Sequence, residues 1–219
     1  MVNLRLGSIA PDFKAETSAG DIEFHKWAGD DWVMLFSHPT STLAVCTTEL
    51  GGLAKRHEEF KQRGVKLLGL SANDVASHHE WIKDVDEISG SSLSFPIIGD
   101  KERKVATTYD MLDALDASNV DALGLPLTVR SVFIIDPKKV IRLIISYPAS
   151  TGRNVDELLR VIDSLQVSAK YKVATPVDWV PGQDVIVANS VKKEEADQLF
   201  PGYKSVKPYL RYTADPSKK

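Results

Sequence analysis

The spacing of hydrophobic positions along this chain changes repeatedly, and each change predicts an element. Trp32-Val33-Met34-Leu35-Phe36-Ser37 is an apolar run bounded by Asp30-Asp31 and Pro39, the pattern of a buried strand. From Leu50 the period becomes helical. Leu50, Leu53, Ala54, His57 and Phe60 share one face, Lys55, Arg56, Glu58 and Glu59 the other, and Gly64 stands just past the predicted end. Val65 to Ser71 is a second buried strand. Strand, helix and strand within about forty residues make a βαβ unit, which requires the two strands to be parallel.

Asn73-Asp74 then caps a predicted helix reaching about Ile88, with Trp81, Ile82 and Val85 on one side. After a Ser89–Ser92 loop come a short strand at Phe95–Ile98, a helix near Glu102 to Tyr109 and a polar stretch from Asp113 to Gly124. Ser131–Ile135 and Val140–Ser146 are β-rich, and Asp136-Pro137-Lys138-Lys139 between them reads as a hairpin turn. Asn154 and Glu157 have capping-box spacing before a helix with Val155, Leu158, Leu159, Ile162 and Leu165 on its apolar face. Beyond Ala169 the texture changes. Pro176, Pro181, Gly182, Pro201, Gly202 and Pro208 punctuate short segments, and this tail is expected to lack a core of its own, packing on the main domain or on a second subunit. The predicted organisation is an α/β domain over residues 1–168 and a small C-terminal extension over 169–219.

Composition narrows the class. Over 219 residues, 43% apolar and 26% charged content are those of an ordinary globular protein. A net charge of −3 argues against a nucleic-acid or anionic-membrane partner. No apolar run approaches the ~20 residues of a spanning helix. Met1 to Gly7 is neither a signal nor a transit peptide, so the chain as given reads as cytoplasmic; a removed presequence would be invisible, which keeps the mitochondrial matrix as the alternative. The histidines are scattered. His78 and His79 are adjacent, point to different faces of a helix, and read as surface or half-buried, so neither a metal nor another cofactor is expected.

The candidate chemistry lies at Cys46, the only cysteine. It falls where the first buried strand passes into the first long helix, among His38-Pro39, Thr47-Thr48 and Glu49. The unpaired N–H groups and positive dipole end of a helix favour a charged sulfur. An unperturbed cysteine is only about a few per cent thiolate at neutral pH, and the thiolate is the nucleophile. Taken alone, a lone intracellular cysteine is more often a small buried hydrophobe; the polar setting argues for the reactive reading. With no second cysteine, no intramolecular disulfide can form.

Several ordered segments carry a resemblance: Leu6–Phe13, Phe36–Pro39, Val45–Leu50, Leu125–Arg130, Tyr147–Asn154, Val173–Trp179 and Tyr209–Tyr212. They resemble the one-cysteine, peroxiredoxin-6-like branch of the peroxiredoxin family over nearly the whole chain. The resemblance implies a thioredoxin-like fold, a central mixed sheet flanked by helices, and a homodimer joined by the C-terminal extension. It also implies a thiol peroxidase whose Cys46 attacks hydrogen peroxide or an alkyl hydroperoxide to leave a sulfenic acid. Arg130 would then stabilise the thiolate and the departing oxygen, with Glu49 and Arg153 holding that arginine in place. His38 would bond substrate or tune the sulfur, or be a satisfied structural histidine, and Pro39 would shape and shield the site. Without the resemblance, Arg130, Glu49 and Arg153 read as ordinary exposed charges. The missing resolving cysteine implies an outside thiol reductant, such as glutathione or the thioredoxin system.

Two departures from the family pattern stand out. In Pro-x-x-x-Thr-x-x-Cys, counted from Pro39 to Cys46, the threonine position is Leu43; Thr42 is one residue early. Leucine cannot donate to a peroxide, so lowered activity is expected. In the lipase-like Gly-Asp-Ser-Trp-Gly of some relatives the serine position is Asp31, with His25 nearby and Lys138 at the acid position, so phospholipase activity is not expected. The competing readings are a redox sensor or chaperone derived from such an enzyme, and an interaction module with an inert cysteine.

Overall fold

The computed structural model describes residues 4–41 and 43–218, and the chain divides into two compact units, the first through Val155 and the second from Asp156. The first unit opens with a hairpin, β1 (Lys14–Thr17) and β2 (Gly20–Glu23), and a short helix α1 (Phe24–Ala28). Next come β3 (Trp32–Ser37), α2 (Ala44–Lys55), α3 (His57–Gln62), β4 (Val65–Ser71) and α4 (Val75–Ser89). β5 (Ile97–Gly99), α5 (Lys104–Thr108), β6 (Arg130–Ile135) and β7 (Ile141–Tyr147) complete it.

These strands form one mixed sheet in the order β2-β1-β5-β4-β3-β6-β7. β3 pairs in parallel with β4, and β4 with β5, while β6 runs antiparallel to both β3 and β7. Strand alternation sends Val33 and Leu35 to one face, where they join Leu70, Phe133, Ile135 and Tyr109 in the main core. Fully burying each such side chain contributes roughly 1.5–3 kcal/mol. Phe36 points to the other face. There α2 and α4 approach so closely that a Cβ on Gly51 would lie 2.7 Å from the Cβ of Ser89, which is why a glycine stands mid-helix.

Several expectations need correction. The hairpin β1–β2 was not predicted, because its residues are polar and largely exposed and carry no strand-like apolar run, and α1 was not, because five residues are too few to show a helical period. The helix after the cysteine is two helices: at Arg56 the backbone leaves helical geometry (φ −108°, ψ 9°), although the apolar spacing continues through to Phe60. α5 starts at Lys104, because Asp100 accepts from the N–H groups of Val105 and Ala106 and sets the helix start there. His78 is fully buried, contrary to the surface or half-buried reading, whereas His79 is exposed.

The second unit holds α6 (Val155–Lys170, which starts at the boundary), β8 (Val173–Ala174), β9 (Val185–Val187), α7 (Lys193–Leu199), β10 (Lys204–Lys207) and β11 (Leu210–Thr213). Its strands make a four-stranded sheet, β10-β11-β9-β8. The expectation of a coreless tail fails here. Val173, Trp179, Val185, Val187, Val191 and Phe200 bury together with Val167 of α6, and Trp179, 1% exposed, supplies the bulk that the short strands lack.

Candidate active site

α2 begins where β3 ends, at the carboxyl edge of the parallel strands, the usual site of chemistry in open α/β sheets. Leu43 is the N-cap in extended geometry, and its carbonyl accepts the first helical bond from the Thr47 N–H at 2.9 Å. Cys46 is therefore the third helical residue, ahead of the first i→i−4 bond and within reach of the dipole's positive end. Its side chain is fully buried. Burial in hydrocarbon would keep a thiol protonated, so the neighbours decide its character.

Those neighbours are ionic. Arg130, the first residue of β6, places Nη1 at 3.4 Å from Cys46 Sγ and 2.6 Å from Glu49 Oε2. Its Nε donates to the Ala149 carbonyl at 2.9 Å, and Nη2 donates to the same oxygen, fixing the plane of the guanidinium. Glu49 lies on α2 one turn after the cysteine. Arg153 donates to it through its backbone N–H at 2.7 Å, Nε at 2.9 Å and Nη2 at 2.9 Å. Arg153 Nη1 continues to the Ser37 carbonyl at 2.9 Å, with its guanidinium over the Phe36 ring at 5.0 Å. The side chains of Arg130, Glu49 and Arg153 are 1%, 5% and 2% exposed. Two positive charges and one negative leave this buried cluster with one positive charge in excess, next to the sulfur. A negative charge placed there would balance it, and pairing is what makes buried charge tolerable.

His38 and Pro39, at the end of β3, are both buried. His38 Nδ1 lies 3.4 Å from the Thr40 carbonyl, and among the described residues Nε2 has no partner. Burial foremost, then His78 and Arg153, hold His38 well below the ordinary histidine range, so its imidazole is neutral. Leu43 is 41% exposed and makes no side-chain cap, leaving its carbonyl as its contribution, which also accepts from Thr47 Oγ1 at 3.0 Å. Thr42 lies outside the described residues.

The lipase-like positions are occupied otherwise. Asp31 pairs with Lys66 at 2.9 Å, His25 Nε2 bonds the Ala10 carbonyl at 2.8 Å, and Lys138 donates its N–H to Asp136. Sequence reasoning missed the part α4 plays. Asn73, just before it, and His78 and Trp81 within it all bond the segment around Cys46, and no signal in residue type or spacing marked those ties. It also missed the Ala149 carbonyl, since a backbone acceptor leaves no mark in residue type. A groove of about 1010 Å³ beside β1 and β2, lined by Lys14, Glu16, Ile22 and Trp27, includes neither Cys46 nor Arg130 among its lining residues.

Residues 6–144 match the AhpC/TSA family, and residues 164–202 match the C-terminal domain of 1-Cys peroxiredoxin. The mitochondrial peroxiredoxin PRX1 of Saccharomyces cerevisiae is 51% identical, covering 96% of this chain and 80% of the relative. Peroxiredoxin-6 of Rattus norvegicus is 49% identical, covering 97% and 98%. Among solved structures, a cysteine-to-serine mutant of the peroxiredoxin 6 of Arenicola marina superposes with a TM-score of 0.92 at 47% identity, covering 98% of this chain and 99% of that one. The yeast mitochondrial 1-Cys peroxiredoxin, whose structure concerns thiol resolution via the glutathione/thioredoxin systems, superposes with a TM-score of 0.89 at 51% identity, covering 96% and 99%.

Proposed function

This chain belongs to the one-cysteine peroxiredoxins and is a thiol-dependent peroxidase with a thioredoxin-like fold, and on that premise we propose that Cys46 is its nucleophile and Arg130 its electrostatic catalyst. The single observation that carries this is the 3.4 Å approach of Arg130 Nη1 to Cys46 Sγ within a buried cluster of excess positive charge. The Cys46 thiolate attacks the terminal oxygen of a hydroperoxide. A sulfur–oxygen bond forms, the oxygen–oxygen bond breaks, and the departing oxide takes a proton to leave as water or alcohol. Sulfur is oxidised by two electrons and the peroxide reduced by two. Arg130 stabilises both the thiolate and the charge on the departing oxygen. Glu49 and Arg153 are positioning residues that hold Arg130. His38, neutral and with Nε2 unpaired among the described residues, accepts or donates a hydrogen bond to the peroxide, and Pro39 shields the sulfur.

The sulfenic acid meets no second cysteine, so an outside thiol condenses with it, releasing water, and a further thiol reduces the mixed disulfide. The yeast relative supports glutathione or the thioredoxin system as the source. Leu43 lowers turnover by removing a hydroxyl from the peroxide's reach. The chemistry belongs to residues 1–168, and residues 169–219 serve a homodimer; sedimentation of the full chain as a monomer would contradict that part. No described helix is long and apolar enough to cross a membrane. The cytoplasm is the proposed location, with the matrix the alternative that the mitochondrial relative supports.

Mass spectrometry after one equivalent of hydrogen peroxide tests the central step. The expected product is a single oxygen on Cys46, trapped by a dimedone-type reagent; an unmodified Cys46 with peroxide unconsumed would contradict it.

A further inference from the structure

The region just before and within α4 ties down the chain on both sides of Cys46. Upstream, Asn73 Oδ1 accepts from Thr40 Oγ1 and the Ser41 N–H, both at 2.8 Å, and from Ser71 Oγ at 3.0 Å. His78, one turn into the helix and 0% exposed, places Nε2 at 3.1 Å from the Ile98 carbonyl. A carbonyl only accepts, so Nε2 carries the proton and Nδ1 presents its lone pair. Ser41 Oγ lies 3.1 Å from that lone pair and is the donor to it. Downstream, Trp81 Nε1 donates to Thr47 Oγ1 at 3.1 Å, one residue past Cys46. Burial holds His78 to about 4, in keeping with a neutral ring, although the bond to Ile98 and the Asp74 charge act against that shift.

We propose that His78 is a positioning residue for Cys46. Its Nδ1 fixes the Ser41 hydroxyl, and so fixes the loop that leads into α2 and aims the sulfur at the peroxide. This rests on the peroxidase reading and extends it to groups that touch neither sulfur nor substrate. Displacing a nucleophile by a fraction of an ångström lowers its rate without altering its charge. The readout is therefore the rate of peroxide attack, set against an unmoved pH profile.

The test separates the two sides of one ring: Nδ1 faces Ser41, while Nε2 faces the Ile98 carbonyl and, at 3.4 Å, Ser71 Oγ. Asparagine sets an amide oxygen near the Nδ1 position and can accept from Ser41; glutamine reaches toward the Nε2 position and keeps only the links to Ile98 and Ser71. Stopped-flow kinetics of the full chain with hydrogen peroxide should show Ser41→Ala and His78→Gln slowed about three- to tenfold, the worth of one hydrogen bond. His78→Asn should stay within about twofold of wild type, and the double variant Ser41→Ala/His78→Gln should be no slower than either single. The pH profile of Cys46 alkylation should coincide in all of them. His78→Gln as fast as His78→Asn would make the histidine a mere tie to β5 and overturn the proposal, as would Ser41→Ala at the wild-type rate. If the glutamine variant does not fold, Ser41→Ala decides alone. A wild-type rate no better than a small free thiol's would sink the peroxidase reading itself, and this inference with it.

Discussion

Two arginines, one in each compact unit, are withdrawn from water to nearly the same degree: Arg130 is 1% exposed and Arg211 7%. Arg130 meets a carboxylate and a thiol, Glu49 and Cys46, besides one carbonyl. Arg211 meets carbonyls, with Nη2 at 2.7 Å from that of Val191 and 3.2 Å from that of Ala188, and lies over the Tyr203 ring at 5.9 Å. Its Nε has no partner among the described residues. Burial and residue type are shared; the surroundings differ. A guanidinium beside a group that can ionise changes that group's chemistry, whereas one among carbonyls serves packing and chain direction.

Substituting Glu49 should have the largest effect. Glu49→Gln leaves Arg130 and Arg153 buried without their carboxylate, so chemical denaturation should show a loss of about 3–5 kcal/mol, the cost of breaking a buried ion pair. An unchanged midpoint would mean the cluster is solvated. Next, Arg130→Ala should slow peroxide reduction about 10²–10³-fold, as loss of a charge-stabilising donor does. It should also move the pH profile of Cys46 alkylation upward, because the thiolate loses its cation. The matched Arg211→Ala should leave the peroxide rate unchanged and cost about 1–3 kcal/mol of stability through its orphaned carbonyls. Equal kinetic effects at the two arginines would erase the contrast.

Buried histidines extend the comparison to pH. The folded state holds His78 to about 4, while an unfolded chain takes up that proton near the ordinary ~6.5. The unfolded state therefore binds protons first as the pH falls. Stability is whole above about pH 6.5 and declines toward pH 4, by roughly 3 kcal/mol for His78 alone. His38, held low by the same burial, adds to the decline. Urea melts at stepped pH should show this slope, and His78→Asn should flatten it; equal slopes would exclude His78 as a source. The smallest effect is expected at the exposed helix start, where Leu43→Thr should raise the peroxide rate by up to about tenfold through one added hydrogen bond. A neutral or harmful result would show that this loop presents peroxide differently.

Much of the first unit was legible because burial on both sheet faces leaves continuous apolar runs: β3, β4 and β6 fall where those runs lie, and β7, a half-buried edge strand, showed through its β-rich composition. The hairpin β1–β2 was not, since a polar edge pair leaves no such run. The second unit's core escaped notice because one tryptophan, Trp179, replaces the periodic side chains that longer strands would show. At the site, Cys46 could be placed at a helix start from its neighbours alone. Its proximity to Arg130, 84 residues away in sequence, came only through family resemblance. The ties from Asn73 and His78 to Ser41 were not legible at all, because hydroxyls and amides that bond across loops carry no periodic signature, and His78 beside exposed His79 looked like surface.

The most direct measurement is the second-order rate constant of Cys46 with hydrogen peroxide at neutral pH, taken by stopped flow on the full, reduced chain. A thiolate paired with Arg130 should react more than about a hundredfold faster than a small free thiol. A rate equal to that of the free thiol, in a folded protein with its single cysteine reduced, would contradict the assignment.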